Sequence, residues 1–144
     1  MVTKQFLRFL EPSEESALLA AAPLKSFATG ELVLDQNVLL RAIFVIDEGS
    51  VRVERRGGDE VMPLAILGPG EFFGEMSFVE GARTSARVVA HTPTQLRIID
   101  MAIVDNLMEV DPTFGSRMYR SIAAILVDRL RLTSTDLFVQ KPWV

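Results

Sequence analysis

The segment GEFFGEMSFVEGARTSARV, residues 70–88, gathers residue types that can hold a small anionic ligand. Gly74 has no Cβ atom, so the backbone at this point can approach a ligand closely. The residues after Gly74 begin a short helix, and the free N–H groups at a helix start favour an anion such as phosphate. Ser85 adds a hydroxyl donor. The segment predicts an anion cradle; the purely structural alternative is a tight turn followed by an acid, Glu75, in a first helical turn.

Other kinds of chemistry find little support in the sequence. The chain has 144 residues, no cysteine and one histidine, so disulfides and thiolate metal sites are excluded. That histidine, His91, stands in the turn-like segment HTPT and is predicted to lie at the surface. No serine has a nearby histidine that would activate it as a nucleophile. We therefore expect no enzyme, no metal site and no cofactor, only a bound ligand.

The charge balance and the N-terminus bear on partners and location. Lys and Arg number 15 against 19 Asp and Glu, whereas a DNA-binding domain usually carries a basic excess. Lys4 and Arg8 interrupt the apolar start of the chain, which is unlike a signal peptide. No apolar run approaches the roughly 20 residues of a membrane span. We expect a cytoplasmic protein that binds no membrane and, by this chain alone, no nucleic acid.

The elements that would position the cradle follow from the alternation of apolar runs and turns. A short helix is predicted over residues 13–22, with Ser13 as its cap and Pro23 at its end. Strands are predicted at residues 32–34, 42–46, 51–54, 61–67, 86–90 and 95–99. Strands at intervals of about ten residues, separated by such turns, indicate an antiparallel sandwich or barrel.

After Asp100 the periodicity becomes helical. One helix is predicted over residues 101–109, and a long one over residues 114–137 after an Asp111-Pro112 start. Its apolar arc is wide, so we expect one side to pack on the barrel and another on a second chain, giving a homodimer. The alternative is a helix lying wholly on its own barrel. The division predicted is residues 1–110 for the barrel with its short helix and residues 111–144 for the C-terminal helix and tail.

With these elements, the chain resembles the cyclic nucleotide-binding domain family. The likeness extends through ATGELVLDQ, IFVIDEGSVRV and above all FGEMSFVEGARTSA, which is similar to the family's phosphate-binding cassette. The resemblance implies a double-stranded β-helix (jelly-roll) barrel, mainly β with flanking helices. It also implies a ligand, cAMP or cGMP, whose phosphate meets the backbone at Met76 and Ser77. In the family, the position of Glu75 binds the ribose 2′-hydroxyl group.

The chain departs from the cassette pattern at one position. The family's phosphate-binding arginine stands two residues before the alanine that matches Ala86, and Thr84 occupies that place here, with Arg83 one residue early. If a strand has begun at Arg83, its side chain points away from the pocket, since neighbours in a strand face opposite ways. A looped chain before Thr84 or a shorter turn would instead bring Arg83 in as the phosphate ligand. A solvated surface charge is the third alternative.

A second likeness lies near the end of the long helix. The stretch DRLRLTSTDL resembles the dimer helix in the bacterial catabolite-activator branch of the family. There the residues matching Thr133 and Ser134 contact the adenine base across the dimer, and the resemblance implies the same contact here. Two solvated hydroxyl groups near a helix end are the alternative.

Three functions follow as hypotheses from these observations. The first is a cytosolic regulatory sensor that binds a cyclic nucleotide of the cAMP type and signals through the long helix. The second, suggested by Thr84, is a degenerate domain that binds no cyclic nucleotide and serves in dimerisation or docking. The third is a DNA-binding transcription factor, which we do not expect because the chain ends shortly after the helix, at Val144.

Overall fold

The computed structural model describes the backbone of residues 7–137 and the side chains of residues 7–131. Its helices are α1 (Pro12–Ala21), α2 (Glu75–Glu80), α3 (Met101–Val110) and α4 (Pro112–Leu137). Its strands are β1 (Leu24–Phe27), β2 (Leu32–Leu34), β3 (Ala42–Glu48), β4 (Val51–Gly57), β5 (Glu60–Leu67), β6 (Phe72–Phe73), β7 (Arg87–Ala90) and β8 (Thr94–Asp100). The predicted mainly β composition with a long C-terminal helix is confirmed.

The strands form two antiparallel sheets of four strands each. The first sheet has the order β1-β8-β3-β6 and the second the order β2-β7-β4-β5. The hydrogen-bonded ladders do not close into a ring, so the barrel and jelly-roll description stays a prediction. Every residue from Ala42 to Ile46 is buried, because the two faces of β3 are covered by different layers.

Two apolar layers cover those faces. One lies between the sheets and includes Phe44, Ile46, Val51 and Leu96, while the other lies between the first sheet and the helices and includes Ile43, Val45 and Ile99. Helix α4 supplies Phe114, Met118 and Ile122 to the helical layer. This apolar stripe of α4 therefore packs on its own domain, as predicted for one side of the helix.

Three local features differ from the sequence-based expectations. The helix α1 is preceded by Glu11 rather than capped by Ser13, and the Glu11 amide donates to the Glu14 carboxylate at 2.9 Å. Strand β1 was not predicted because three of its four residues are exposed. Strand β6 was not predicted either, since two residues carry no periodicity and only their pairing with Phe44 and Val45 of β3 defines them.

An ion-pair cluster joins α1 to the first turns of α4. Arg117 of α4 donates to the carboxylates of Glu14 at 2.5 Å and of Asp111 at 3.1 Å. The hydrogen bond from Arg117 holds the pKa of Glu14 below its usual value of 4.5.

Among the described residues, no helix is long and apolar enough to cross a membrane.

Candidate functional site

A pocket with a volume of about 340 Å³ lies between the second sheet and α2. Its wall on the second sheet comes from apolar side chains of all four strands, which are Leu34, Val53, Ala65, Leu67 and Val88. Residues 71–77 and 84–86 also line the pocket, and α4 contributes Arg129. Most residues of the segment 70–88 that could contact a ligand therefore line one concave site, together with Arg129 from the C-terminal helix.

Gly74 sets the position of α2. Its φ of 90° is in the left-handed region, and a Cβ atom built there would lie 2.5 Å from the carbonyl oxygen of Ala42. Only glycine fits this close approach without a shift of the backbone. The preceding residue, Phe73, stacks on Phe44 with ring centroids 4.9 Å apart. The start of α2 is therefore fixed against β3. The neighbour at this close approach is protein backbone, and the predicted approach of Gly74 to a ligand stays a prediction.

Arg41 fixes the other end of α2. Its Nε and Nη2 atoms donate to the carbonyl oxygen of Phe78 at 2.9 and 2.7 Å. A cation near the last carbonyl groups of a helix is favourable, because those groups carry the negative end of the helix dipole. Gly81 then ends the helix with a φ of 69°. The short helix is thus held at both termini, which fixes the side chains that it presents to the pocket.

Glu75 is the principal polar group of the pocket. It is 6% exposed, and its Oε1 atom accepts from Nη1 of Arg129. The same guanidinium donates through Nη2 to the carbonyl oxygen of Phe72 at 2.8 Å and lies over the Phe72 ring at 4.4 Å. A nearly buried carboxylate requires such a partner, since an unpaired charge is costly away from water. Helix α4 is therefore connected directly to the first residue of α2.

The other predicted residues at the start of α2 also line the pocket. Met76 is 54% exposed and Ser77 is 6% exposed. Glu71 lines the same pocket and accepts from the Gly68 amide at 2.7 Å. Among the described lining residues, Arg129 is the single basic side chain beside two carboxylates.

Thr84 and Arg83 are both directed to the loop between β2 and β3. The Thr84 hydroxyl donates to the carbonyl oxygen of Asp35 at 2.7 Å and accepts from the amide of Val38 at 2.9 Å. Thr84 is 7% exposed, whereas Arg83 is exposed and donates to the carbonyl oxygen of Asn37 at 3.2 Å. Residues 81–84 belong to no helix or strand, as one alternative supposed, yet Arg83 does not line the pocket.

The remaining predicted site residues fall in two places. Ser85 lines the pocket and is exposed. Thr133 and Ser134 belong to α4, but their side chains lie outside the part of the chain whose side chains are described. Thr84 also lines the pocket. The roles of all the predicted residues as ligand contacts stay predictions, including those of Arg83, Thr84, Ser85, Thr133 and Ser134.

Sequence reasoning missed Arg129 as a site residue. In the sequence, Arg129 continues at helical spacing the apolar stripe formed by Met118, Ile122 and Ile125. A charged residue in an otherwise apolar stripe was the available signal, because such a position needs a partner on the packed face. The identity of that partner, Glu75, depends on a contact between residues 54 positions apart.

Comparisons with known proteins place this site in a family. A sequence profile of the cyclic nucleotide-binding domain matches residues 24–111, which include both sheets and α2. The Cyclic AMP receptor protein of Thermus thermophilus is 32% identical over 130 residues, covering 89% of this chain and 58% of that protein. Cyclic GMP-binding protein C of Dictyostelium discoideum is 28% identical over 115 residues, covering 79% of this chain and 4% of that protein.

A solved structure agrees with these sequence relationships. The crystal structure of the Thermus thermophilus Catabolite Activator Protein has a TM-score of 0.77 to this chain and 30% sequence identity. The match covers 93% of this chain and 62% of that one, so this chain spans only part of the relatives' length. With the profile covering most of its length and the cassette-like segment forming a pocket wall, this chain belongs to the cyclic nucleotide-binding domain family.

Proposed function

We propose that this domain is a regulatory sensor that binds a cyclic nucleotide of the cAMP type in the pocket between α2 and the second sheet. The observation that carries the proposal is Glu75, which is nearly buried, lines the pocket and is oriented by an ion pair. In the resemblance stated above, this position receives the ribose 2′-hydroxyl group. A carboxylate accepts hydrogen bonds from a sugar hydroxyl, which gives the position a chemical role with a nucleotide.

The shape and lining of the pocket support a nucleotide. Small-molecule sites are usually concave, mostly apolar and supplied with a few fixed polar groups, with volumes of roughly 300–1,000 Å³. The volume here is about 340 Å³, and the second sheet presents an apolar wall. A base and sugar can pack on that wall while Glu75 orients the sugar.

The signal would pass through α4. A ligand shifts a conformational equilibrium only if it binds one state better than the other. Because Arg129 of α4 contacts both Glu75 and the Phe72 carbonyl group, a ligand that engages Glu75 changes the contacts available to α4. The Cyclic AMP receptor protein of Thermus thermophilus matches most of this chain, and its name favours cAMP as the ligand.

Isothermal titration calorimetry tests this proposal, with cAMP and cGMP as ligands and linear AMP as a control for nonspecific phosphate binding. We expect saturable heat with a cyclic nucleotide, cAMP binding more tightly than cGMP, and weaker binding of AMP. The absence of heat with both cyclic nucleotides at about a millimolar, equivalent to a binding free energy weaker than about −4 kcal/mol, would favour the degenerate docking domain instead.

The homodimer through α4 stays part of this proposal. Val127 and Leu130 of α4 are 44% and 58% exposed, although much of the helix already packs on its own domain. Sedimentation velocity of the protein and of Leu130→Glu tests the dimer. We expect a dimer that the charged variant dissociates, and a monomer at all concentrations would contradict it. A cytoplasmic location and the absence of enzymatic activity stay predictions.

A further inference from the structure

We propose that Arg129 of α4, and not an arginine of the cassette-like segment, is the cation that pairs with the phosphate of the bound nucleotide. The inference rests on the proposed function, because it names the charge partner of that ligand in the same pocket. It concerns a binding contact that the family pattern places at the position of Thr84, where this chain has no cation.

The charges of the pocket lead to this inference. Two carboxylates, Glu71 and Glu75, line it together with Arg129 as the single basic side chain among the described lining residues. Without Arg129, the two carboxylates would leave the described lining with a net negative charge, which disfavours an anionic ligand. Thr84 cannot supply the charge, and its hydroxyl is already bonded to the backbone of the β2–β3 loop.

The other arginines close to the pocket are directed elsewhere. Arg83 donates to the Asn37 carbonyl group and Arg55 to the Ser85 carbonyl group. Arg87 pairs with Glu54, and Arg41 holds the end of α2. None of these four side chains lines the pocket as the structure describes it.

Arg129 has the donors and the partial exposure that the role requires. A guanidinium group carries five N–H donors in a planar fork, and such a fork matches the oxygens of a phosphate. Its side chain is 38% exposed, whereas that of Glu75 is 8% exposed, so the arginine is the partner that can reorient. Arg129 can therefore remain near Glu75 and present donors to a phosphate in the same pocket.

A phosphate bound by Arg129 has a different consequence from a phosphate bound by an arginine of the cassette-like segment. Arg129 belongs to α4, so ligand charge would act directly on the helix through which the proposed signal passes. A phosphate would compete with Glu75 and the Phe72 carbonyl group for one guanidinium. Binding and a change at α4 would then be parts of one event.

The test compares variants of Arg129 and Arg83 by calorimetric titration with cAMP and with 2′-deoxy-cAMP. The second ligand keeps the phosphate but lacks the hydroxyl group that Glu75 would bind. We expect Arg129→Gln to weaken the binding of both ligands at least tenfold, and by a similar factor. Arg129→Lys, which keeps the charge without the fork, should recover part of the affinity. Arg83→Gln is the matched control and should bind like the unmodified protein.

Each other outcome overturns the inference in a recognisable way. A loss for cAMP alone in Arg129→Gln would show that Arg129 acts only by orienting Glu75. Weaker ligand binding by Arg83→Gln, with unchanged binding by Arg129→Gln, would assign the phosphate contact to Arg83. Failure of the unmodified protein to bind either ligand would overturn the proposed function and this inference together. Thermal denaturation of each variant, with Arg129→Lys as the milder change, separates a binding defect from unfolding.

Discussion

Residues 74–77 and residues 83–85 belong to one short segment, but they are anchored to different parts of the molecule. The first group is fixed by the close approach of Gly74 to β3 and by the ion pair between Glu75 and α4. The second group is fixed by hydrogen bonds from Thr84 and Arg83 to the β2–β3 loop. Both groups therefore include residues that line the pocket, but the first is anchored to β3 and α4 and the second to the β2–β3 loop.

The difference shows how a displacement of one residue changes the chemistry of a site. Thr84 is buried, and its hydroxyl has both a donor and an acceptor partner in the β2–β3 loop, although the residue also lines the pocket. Arg83, which stands one residue before the family's arginine position, is exposed and donates to a loop carbonyl group. The pocket keeps a guanidinium nonetheless, because the fold brings Arg129 to it from α4.

The largest effect expected on this comparison comes from Gly74→Ala. A Cβ atom would overlap the Ala42 carbonyl oxygen, which costs about 1–3 kcal/mol, and the left-handed backbone adds about 1–2 kcal/mol. Gly70→Ala is the matched control, since Gly70 has a φ of 83° and nothing within 4 Å of its Cβ position. Urea denaturation should show the greater loss of unfolding free energy for Gly74→Ala. Equal losses would show that the approach to β3 does not anchor α2.

Glu75→Gln should weaken cAMP binding tenfold to more than a hundredfold. A hydrogen bond to a charged group contributes about 1.5–3 kcal/mol, and about 1.4 kcal/mol corresponds to a factor of ten. Glu71→Gln is the control, because this carboxylate also lines the pocket but is exposed. Calorimetry should show unchanged or slightly tighter binding for the control. If Glu75→Gln and Glu71→Gln bind cAMP with the same affinity, residues 74–77 do not make the ligand contact that we assign to them.

Thr84→Val tests the second group, residues 83–85, and should act on stability instead of binding. The variant leaves the Val38 amide and the Asp35 carbonyl group without the hydroxyl, at a cost of about 1–3 kcal/mol in unfolding free energy. Thr84→Ser keeps the hydroxyl and should lose less. We expect the affinity for cAMP to change less than about threefold, equivalent to less than about 1 kcal/mol. Weaker binding at unchanged stability would instead place this hydroxyl on the ligand.

The smallest effect concerns Glu54, whose carboxylate accepts hydrogen bonds from Arg52 and Arg87. Arg87 follows shortly after residues 83–85 in the chain. Hydrogen bonds from Arg52 and then Arg87 lower the pKa of Glu54 from its ordinary value of 4.5. The stabilisation is therefore complete above about pH 4.5 and is lost as the pH falls through the lowered pKa. Glu54→Gln should remove this part of the acid dependence and reduce stability at neutral pH by about 1 kcal/mol, because Glu54 is buried but water screens its partly exposed partners Arg52 and Arg87. Denaturation curves at several pH values measure both changes, and identical acid dependence would contradict the assignment.

Much of the architecture could be predicted from periodicity. The strands β2, β3, β4, β5, β7 and β8 and the helices α3 and α4 fall close to their predicted positions, because their apolar residues repeat at strand or helix spacing. Strand β6 carries no such pattern, and it exists through pairing with β3. The start of α1 was displaced from Ser13 to Glu11 because Pro12 occupies the first helical position, where proline is favoured.

The family could be identified from the sequence, because the glycine, carboxylate and hydroxyl residues of the segment stand at the cassette's spacing, and spacing along the chain is a local property. The sequence also identified the offset between Arg83 and Thr84. The directions of those two side chains and the presence of Arg129 in the pocket depend on contacts between distant parts of the chain. The pairing of Glu75 with Arg129 joins residues 54 positions apart, and a contact at that separation is set by the packing of α4 on the domain rather than by any local pattern.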